Sequence, residues 1–200
     1  MPASWWRAGL SKMTISDRTL SQALIAECER RIFGESVPRL KKCLSLLNEE
    51  DVWFRPNAET ISVGNLILHL CGNVRQWLIG ALGGNPDNRQ RDAEFSEQGP
   101  IPVPNLLQRL TILQADSLVV LHRLDDSALV KKYTVQGFEE SGVSILVHVI
   151  EHFSYHTGQI SYYTKTRKAI DLNYYGSADL TQKNCEPRRP SSQRNKRVKK

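Results

Sequence analysis

Apolar residues recur every three or four positions in four long segments of this chain, as they do along one face of an α-helix. The segments cover residues 17–47, 63–82, 105–124 and 142–166. Strand-like alternation is confined to a weak stretch at residues 130–138, which predicts a short extended segment. Four long amphipathic helices with little strand signal predict an all-α fold, an up-down four-helix bundle.

Capping residues and helix breakers mark the ends of these segments. Serines precede the first, second and fourth segments and are predicted N-caps: Ser16, Ser62 and Ser141. The glycine- and proline-containing run at residues 83–86 ends the second segment. Gly34 and Pro38 are expected to break or kink the first segment. Residues 48–61 and 87–99 are predicted to be loops.

Composition divides the chain into three parts. Residues 1–13 are predicted to be a flexible leader, residues 14–176 the helical bundle domain, and residues 177–200 a disordered basic tail. Hydrophobic residues make up 40% of the chain, enough for a core. No run of eighteen apolar residues occurs and the leader lacks an apolar signal region, so we expect a cytoplasmic protein.

The net charge of +6 belongs to the tail. Residues 177–200 contain eight Lys or Arg and two acidic residues, which leaves 19 of the 27 basic and 19 of the 21 acidic residues for the rest. A neutral domain argues against a nucleic-acid-binding surface on the folded part. The tail could contact phosphates, although a solvated tail is the simpler interpretation.

The four cysteines are scattered along the chain: Cys28, Cys43, Cys71 and Cys185. They form no C-x-x-C pair, so neither a disulfide framework nor a zinc knuckle is expected. Reduced, mostly buried thiols fit this spacing better.

Three of the five histidines lie four residues apart in the last predicted helix: His148, His152 and His156. Side chains at positions i and i+4 share a helix face, so His152 and His156 can reach one ion. A column of three drifts by roughly 40° per step on a helix with 3.6 residues per turn, so the three histidines are not equivalent ligands.

His69 lies in the second predicted helix, on a polar stripe with Asn65 and Asn73. Polar residues aligned on an apolar helix are costly to bury, and a cavity between helices would explain them. Three neutral imidazoles suit Zn²⁺, Ni²⁺, Fe²⁺ or Mn²⁺ and leave positions open to a water or a thiolate. Spacing alone also allows surface or hydrogen-bonded core histidines, and the zinc-protease motif H-E-x-x-H is absent.

Two polar neighbours of the histidine pair lie close enough in sequence to act at such a site. Gln159 follows His156 by three residues and could orient a ligand, or it could only bridge helices. Glu151 lies about 100° around the helix from His152, so we expect it to face solvent.

Two motifs resemble the DinB-like (YfiT-like) metalloprotein superfamily. They are His148-Val-Ile-Glu-His152-Phe-Ser-Tyr-His156-Thr-Gly-Gln159-Ile160 and His69-Leu-Cys-Gly-Asn73-Val-Arg75-Gln-Trp77. The closing segment at residues 171–176 is similar to an uncharacterised bacterial branch of that superfamily. The resemblance covers roughly residues 15–176 and implies the DinB-like helical bundle.

The resemblance also implies a metal site and a partner. It places a divalent metal, commonly zinc or nickel, at His69, His152 and His156; iron and manganese are further candidates on the chemistry of the imidazoles alone. His148 matches a position that the metal does not generally need, and we interpret it as a neighbouring cavity residue. Homodimers are common in the superfamily. Its members with known activity are thiol S-transferases or isomerases, or metal-dependent hydrolases.

Two functional hypotheses result. The first is a metal-dependent enzyme that acts on a low-molecular-weight thiol or another small molecule through a metal-bound water or thiolate. The alternative is a non-catalytic metal-binding bundle that serves as a stress-response or interaction protein. No catalytic side chain beyond the metal ligands is singled out by the sequence.

Overall fold

Seven helices and one β-hairpin make up residues 18–183, the part of the chain described by the structure, a computed structural model. The long helices are α1 (consecutive stretches Leu20–Glu29, Arg30–Ser36 and Val37–Leu46), α3 (Val63–Val74 continued by Arg75–Leu82), α5 (Val103–Leu121) and α7 (Gly142–Lys168). The short elements are α2 (Glu49–Trp53), α4 (Arg91–Ser96), α6 (Asp126–Val130), β1 (Lys132–Val135) and β2 (Phe138–Ser141). None of these helices is long and apolar enough to cross a membrane.

The four long helices share one core. Helix α7 contacts α1 and α3, and α5 contacts the same two helices. Each long helix buries apolar side chains completely between its neighbours: Leu40, Leu70, Leu110 and Phe153. The prediction of a mostly helical fold is therefore confirmed, whereas the up-down order of a four-helix bundle stays a prediction.

Helix α1 runs through Gly34 and Pro38 instead of breaking there. Arg30–Ser36 form a π-helical stretch, in which the N–H of Val37 bonds to the carbonyl of Ile32, five residues back. Proline has no N–H, and in a regular α-helix its ring collides with the carbonyl four residues earlier. The wider turn accommodates the proline without ending the helix.

The segment at residues 48–61, predicted to be a loop, contains the short helix α2. Asn48 is the N-cap of this helix, since its side chain accepts a hydrogen bond from the N–H of Asp51. Asp51 is 3% exposed, and its carboxylate pairs with Arg167 at 2.6 Å and with Lys168. Tyr163 donates its hydroxyl to the carbonyl of Asp51. These contacts attach α2 to the end of α7.

Helix α3 has the bounds that the sequence predicted. Ser62 caps it by accepting from the N–H of Asn65. The amide of Asn65 donates in turn to the carbonyls of Glu94 and Glu97 in the connection that follows α3. Asn65 therefore anchors this connection, and the first position of the polar stripe serves the fold.

The connection after α3 is not a simple loop. It contains the six-residue helix α4, which the sequence did not indicate. Helices α5 and α7 match the third and fourth predicted helices to within a few residues, and Ser141 caps α7 as predicted. An antiparallel hairpin, β1–β2, stands where a single extended segment was predicted.

The predicted leader and the predicted cap Ser16 lie outside the described residues, as does most of the basic tail. Within the described range α1 is capped by Thr19. After α7 the chain folds back, so that Tyr174 contacts Ser161 at 2.7 Å and Cys43 at 3.2 Å. Leu172 is buried beside it. These contacts attach the end of the predicted domain to α1 and α7.

Asp51→Asn should lower the free energy of unfolding by about 1–3 kcal/mol, because Arg167 and Lys168 then lose their carboxylate partner and face a neutral amide. Burial acts to raise the pKa of Asp51, but Lys168 and Arg167 outweigh it and hold the pKa below its ordinary value. The advantage of the wild type should therefore be constant above about pH 4 and shrink as the pH falls through the lowered pKa. Urea unfolding at several pH values measures it.

Asp116→Asn is the matched control, because Asp116 pairs with Arg75 at the surface, where the two side chains are 44% and 46% exposed. Losing that pair should cost less than about 1 kcal/mol. An equal loss in the two variants would contradict the role assigned to Asp51.

Candidate metal centre

Three imidazoles converge between α3 and α7. His69 projects from α3 and is 6% exposed, whereas His152 and His156, one turn apart on α7, are half-buried. Nε2 of His69 lies 2.9 Å from Nε2 of His152. One ring nitrogen from each of the three histidines lies within 4.8 Å of the others. The structure thus brings together the three residues selected from the sequence.

His69 is oriented by a buried ion pair. Its Nδ1 lies 3.0 Å from a carboxylate oxygen of Glu94, and a carboxylate can only accept. Nδ1 also lies 3.1 Å from Nη2 of Arg89, a group that already donates to Glu94 at 2.8 Å. With the proton of His69 on Nδ1 and donated to Glu94, Nε2 keeps the lone pair that a metal needs. Arg89 donates to both oxygens of Glu94, at 2.7 and 2.8 Å. Burial acts to raise the pKa of Glu94, but the bonds from Arg89 and His69 outweigh it and lower the pKa, so Glu94 is ionised at neutral pH.

Gly72 leaves the space that this ion pair occupies. It lies on α3, three residues after His69. A Cβ atom at position 72 would lie 1.8 Å from Oε1 of Glu94 and 3.0 Å from Nε of Arg89. Both partners are held at close to full burial, so a side chain at this position would displace Glu94 from His69.

The rings on α7 differ in how they are held. Nδ1 of His156 lies 2.7 Å from Oε1 of Gln159, so Gln159 accepts its proton and leaves Nε2 free. The contact between His152 and His69 is a hydrogen bond when His152 carries its proton on Nε2. When that proton is on Nδ1, two lone pairs face the same point, as two ligands of one cation do.

Burial keeps the α7 histidines neutral. It lowers the pKa of His152 to about 3, with further contributions from His156, His69 and His148. Burial also lowers the pKa of His156, although the bond to Gln159 opposes the shift. Both rings are therefore neutral at pH 7, which is the form that binds metal.

The donor set fits a divalent transition metal ion. Two nitrogens that each lie roughly 2.0–2.1 Å from one tetrahedral zinc ion are about 3.4 Å apart. The nitrogens of His69 and His152 are 2.9 Å apart and all three rings offer a nitrogen within 4.8 Å of the others, so the rings would have to shift to share one ion. Two of the three rings donate their other N–H to an acceptor, as metal-binding histidines generally do. Imidazole donors suit zinc, nickel and iron alike.

The remaining histidines lie outside this group. Nε2 of His148 accepts from the amide of Asn73 at 3.2 Å, so it does not point to the shared position. His122 lies at the surface and contacts Glu29 at 3.2 Å. Glu151 is exposed, as predicted, and makes no hydrogen bond or ion pair among the described residues.

Three residues that shape the site were missed in the sequence: Gly72, Arg89 and Glu94. Arg89 and Glu94 lie in a polar segment predicted to be a loop, where neither periodicity nor the resemblance marks them. Gly72 carried a weak signal, because a glycine inside an apolar helix is unfavourable and often marks a close approach.

Residues 20–176 match the model of a family described as protein of unknown function (DUF1572). The chain belongs to this family. The fold of this DUF1572 member is similar to that of a DinB-like protein, YjoA, from Bacillus subtilis, with a TM-score of 0.56 and 14% identity. The likeness covers 75% of this chain and 94% of that chain. The DinB-like fold predicted from the two motifs is thereby confirmed, and no curated protein matches the sequence.

Glu94→Gln should weaken zinc binding by about 10- to 100-fold, because it removes the carboxylate that orients His69. Gly72→Ala should act in the same direction by displacing Glu94. Competition with a chromophoric chelator measures both affinities.

Glu151→Gln and Gly158→Ala are matched controls, since Glu151 is exposed and a Cβ at position 158 meets nothing within 4 Å. Equal affinity in Gly72→Ala and Gly158→Ala would contradict the role of the ion pair.

Proposed function

We propose that this protein binds one divalent metal ion, zinc or nickel, through His69, His152 and His156, and that the bound metal serves a reaction on a small molecule. The observation that carries the proposal is the convergence of three imidazoles from α3 and α7, two of them with the outer N–H already bound to an acceptor. Iron and manganese remain candidates for the same donor set. The proposed setting is an up-down four-helix bundle in the cytoplasm.

Three protein ligands, rather than four, are typical of catalytic zinc sites. A bound metal would supply Lewis-acid activation of a water or of a thiol group. The residues of the chain would bind the metal, hold His69 and His156 in place through Glu94 and Gln159, and leave further coordination positions to the substrate. We therefore propose a thiol S-transferase, an isomerase or a hydrolase that acts on a low-molecular-weight thiol or a similar small molecule.

A second candidate function is a non-catalytic metal-binding stress-response or interaction protein. A groove of about 1290 Å³ lies between α3 and α5, and the three histidines do not line it. Arg89 and Glu94 line the groove, and the same pair contacts His69. A large groove that the three histidines do not line favours a partner-binding role over small-molecule turnover.

Protein purified without a nickel affinity column should contain close to one metal ion per chain by inductively coupled plasma mass spectrometry. Replacing any one of the three ligands by alanine should weaken zinc binding by more than about 100-fold, the upper end of the loss expected when a group that orients a ligand is removed. The variants are His69→Ala, His152→Ala and His156→Ala. His122→Ala is the matched control and should bind like the wild type. If the wild type holds no metal and rebinds none, the proposal is wrong.

We also propose that the protein assembles as a homodimer through the α3–α5 groove. Ile112 and Val119 line it and are 45% and 51% exposed, so they offer apolar surface that a partner could cover. The lining contains four arginines and four carboxylates, so it carries both charges in balance. A balanced patch of this kind can pair with its own copy about a twofold axis.

Sedimentation equilibrium should show a dimer for the wild type and a monomer for the double variant Ile112→Arg, Val119→Arg, because two buried cations would face each other across the axis. Val130→Arg is the control, since Val130 is 76% exposed and lies outside the groove. A wild type that is monomeric at millimolar concentration would refute this assembly.

A further inference from the structure

The ligand His152 lacks the kind of support that the other two ligands have. Nδ1 of His69 donates to Glu94, and Nδ1 of His156 donates to Gln159. Among residues 18–183 the polar contact made by the ring of His152 is the one from its Nε2 to His69. No acceptor group among these residues therefore sets the orientation of this ring.

A column of rings lies against His152. The ring of His148 lies 5.4 Å from that of His152 at an interplanar angle of 15°. The ring centroid of Trp77 lies 3.7 Å from that of His148, at an interplanar angle of 21°. Nearly parallel, offset rings at these distances attract each other and resist rotation. Rotation of His152 is therefore restricted by the ring of His148 beside it, which Trp77 in turn holds in place.

The column itself is anchored at both rings. The indole N–H of Trp77 donates to Oε1 of Gln136 at 3.0 Å, in the turn between β1 and β2. The amide of Asn73 donates to Nε2 of His148 at 3.2 Å, and Asn73 is 3% exposed. Asn73 and Trp77 lie one turn apart on α3, opposite the one-turn spacing of His148 and His152 on α7.

We infer that Trp77 and His148 are positioning residues for His152, which they orient by ring stacking in place of a hydrogen bond. Nε2 of His148 is occupied by Asn73, so His148 acts through its ring and not as a ligand. The hairpin contributes at a distance, because Gln136 holds the indole of Trp77. This inference rests on the proposed metal site and adds a requirement for an aromatic ring at position 148.

The test compares His148→Phe with His148→Leu in protein loaded with cobalt in place of zinc. A phenyl ring keeps the stack and removes both ring nitrogens, whereas leucine removes the stack. His148→Phe should keep the visible cobalt spectrum and an affinity close to that of the wild type. His148→Leu should broaden the spectrum and weaken binding by about 2- to 10-fold, the range expected for one aromatic stack.

Gln136→Ala serves as a second variant that leaves α3 and α7 intact, since Gln136 is exposed in the hairpin turn. It should broaden the cobalt spectrum without changing the thermal midpoint, and a spectrum identical to the wild type would count against the anchoring of Trp77. Equal effects of phenylalanine and leucine at position 148 would overturn the inference. The inference would also be overturned if His148→Phe lost as much metal affinity as His69→Ala, because His148 would then be a ligand. A wild type that binds no cobalt would refute the proposed metal site itself.

Discussion

The contact of 2.9 Å between Nε2 of His69 and Nε2 of His152 is the constraint on which the site depends. Two imidazole nitrogens at this distance need a proton or a cation between them. Burial makes a second proton unfavourable, since it lowers the pKa of His152 to about 3. Neutral His152 can meet His69 in two ways: with its proton on Nε2 it donates a hydrogen bond, and with its proton on Nδ1 it leaves two lone pairs for one cation. The proposed metal site uses the second arrangement, with His156 as the third donor.

Two helices, α3 and α7, bring these nitrogens together, and each helix carries its site residues at a spacing of one turn. On α3 the positions are His69, Asn73 and Trp77, and on α7 they are His148 and His152, each one turn apart. Support comes from separate parts of the chain: α4 contributes Glu94, and the β-hairpin contributes Gln136 through Trp77. A short polar helix and a small hairpin thus have a structural reason to be present in a mostly helical protein.

Sequence periodicity was sufficient for the long helices, because each buries a wide apolar face, and the bounds of α3 were correct. It failed for α4, whose six residues expose most of their surface and show no periodic face. Glu94 was missed for that reason, since its partner His69 lies 25 residues earlier and only the tertiary fold joins them. Pro38 was overestimated as a breaker, because a π-helical stretch absorbs it. The three histidines were selected by spacing together with the DinB-like motifs; spacing alone left the question open.

X-ray absorption spectroscopy of the zinc-loaded protein tests the central claim most directly, because it counts the imidazoles and measures their distance from the metal. The account predicts three imidazole nitrogens at roughly 2.0–2.1 Å, completed by a light atom from solvent. A sulfur ligand at about 2.3 Å, or fewer than three imidazoles, would contradict it.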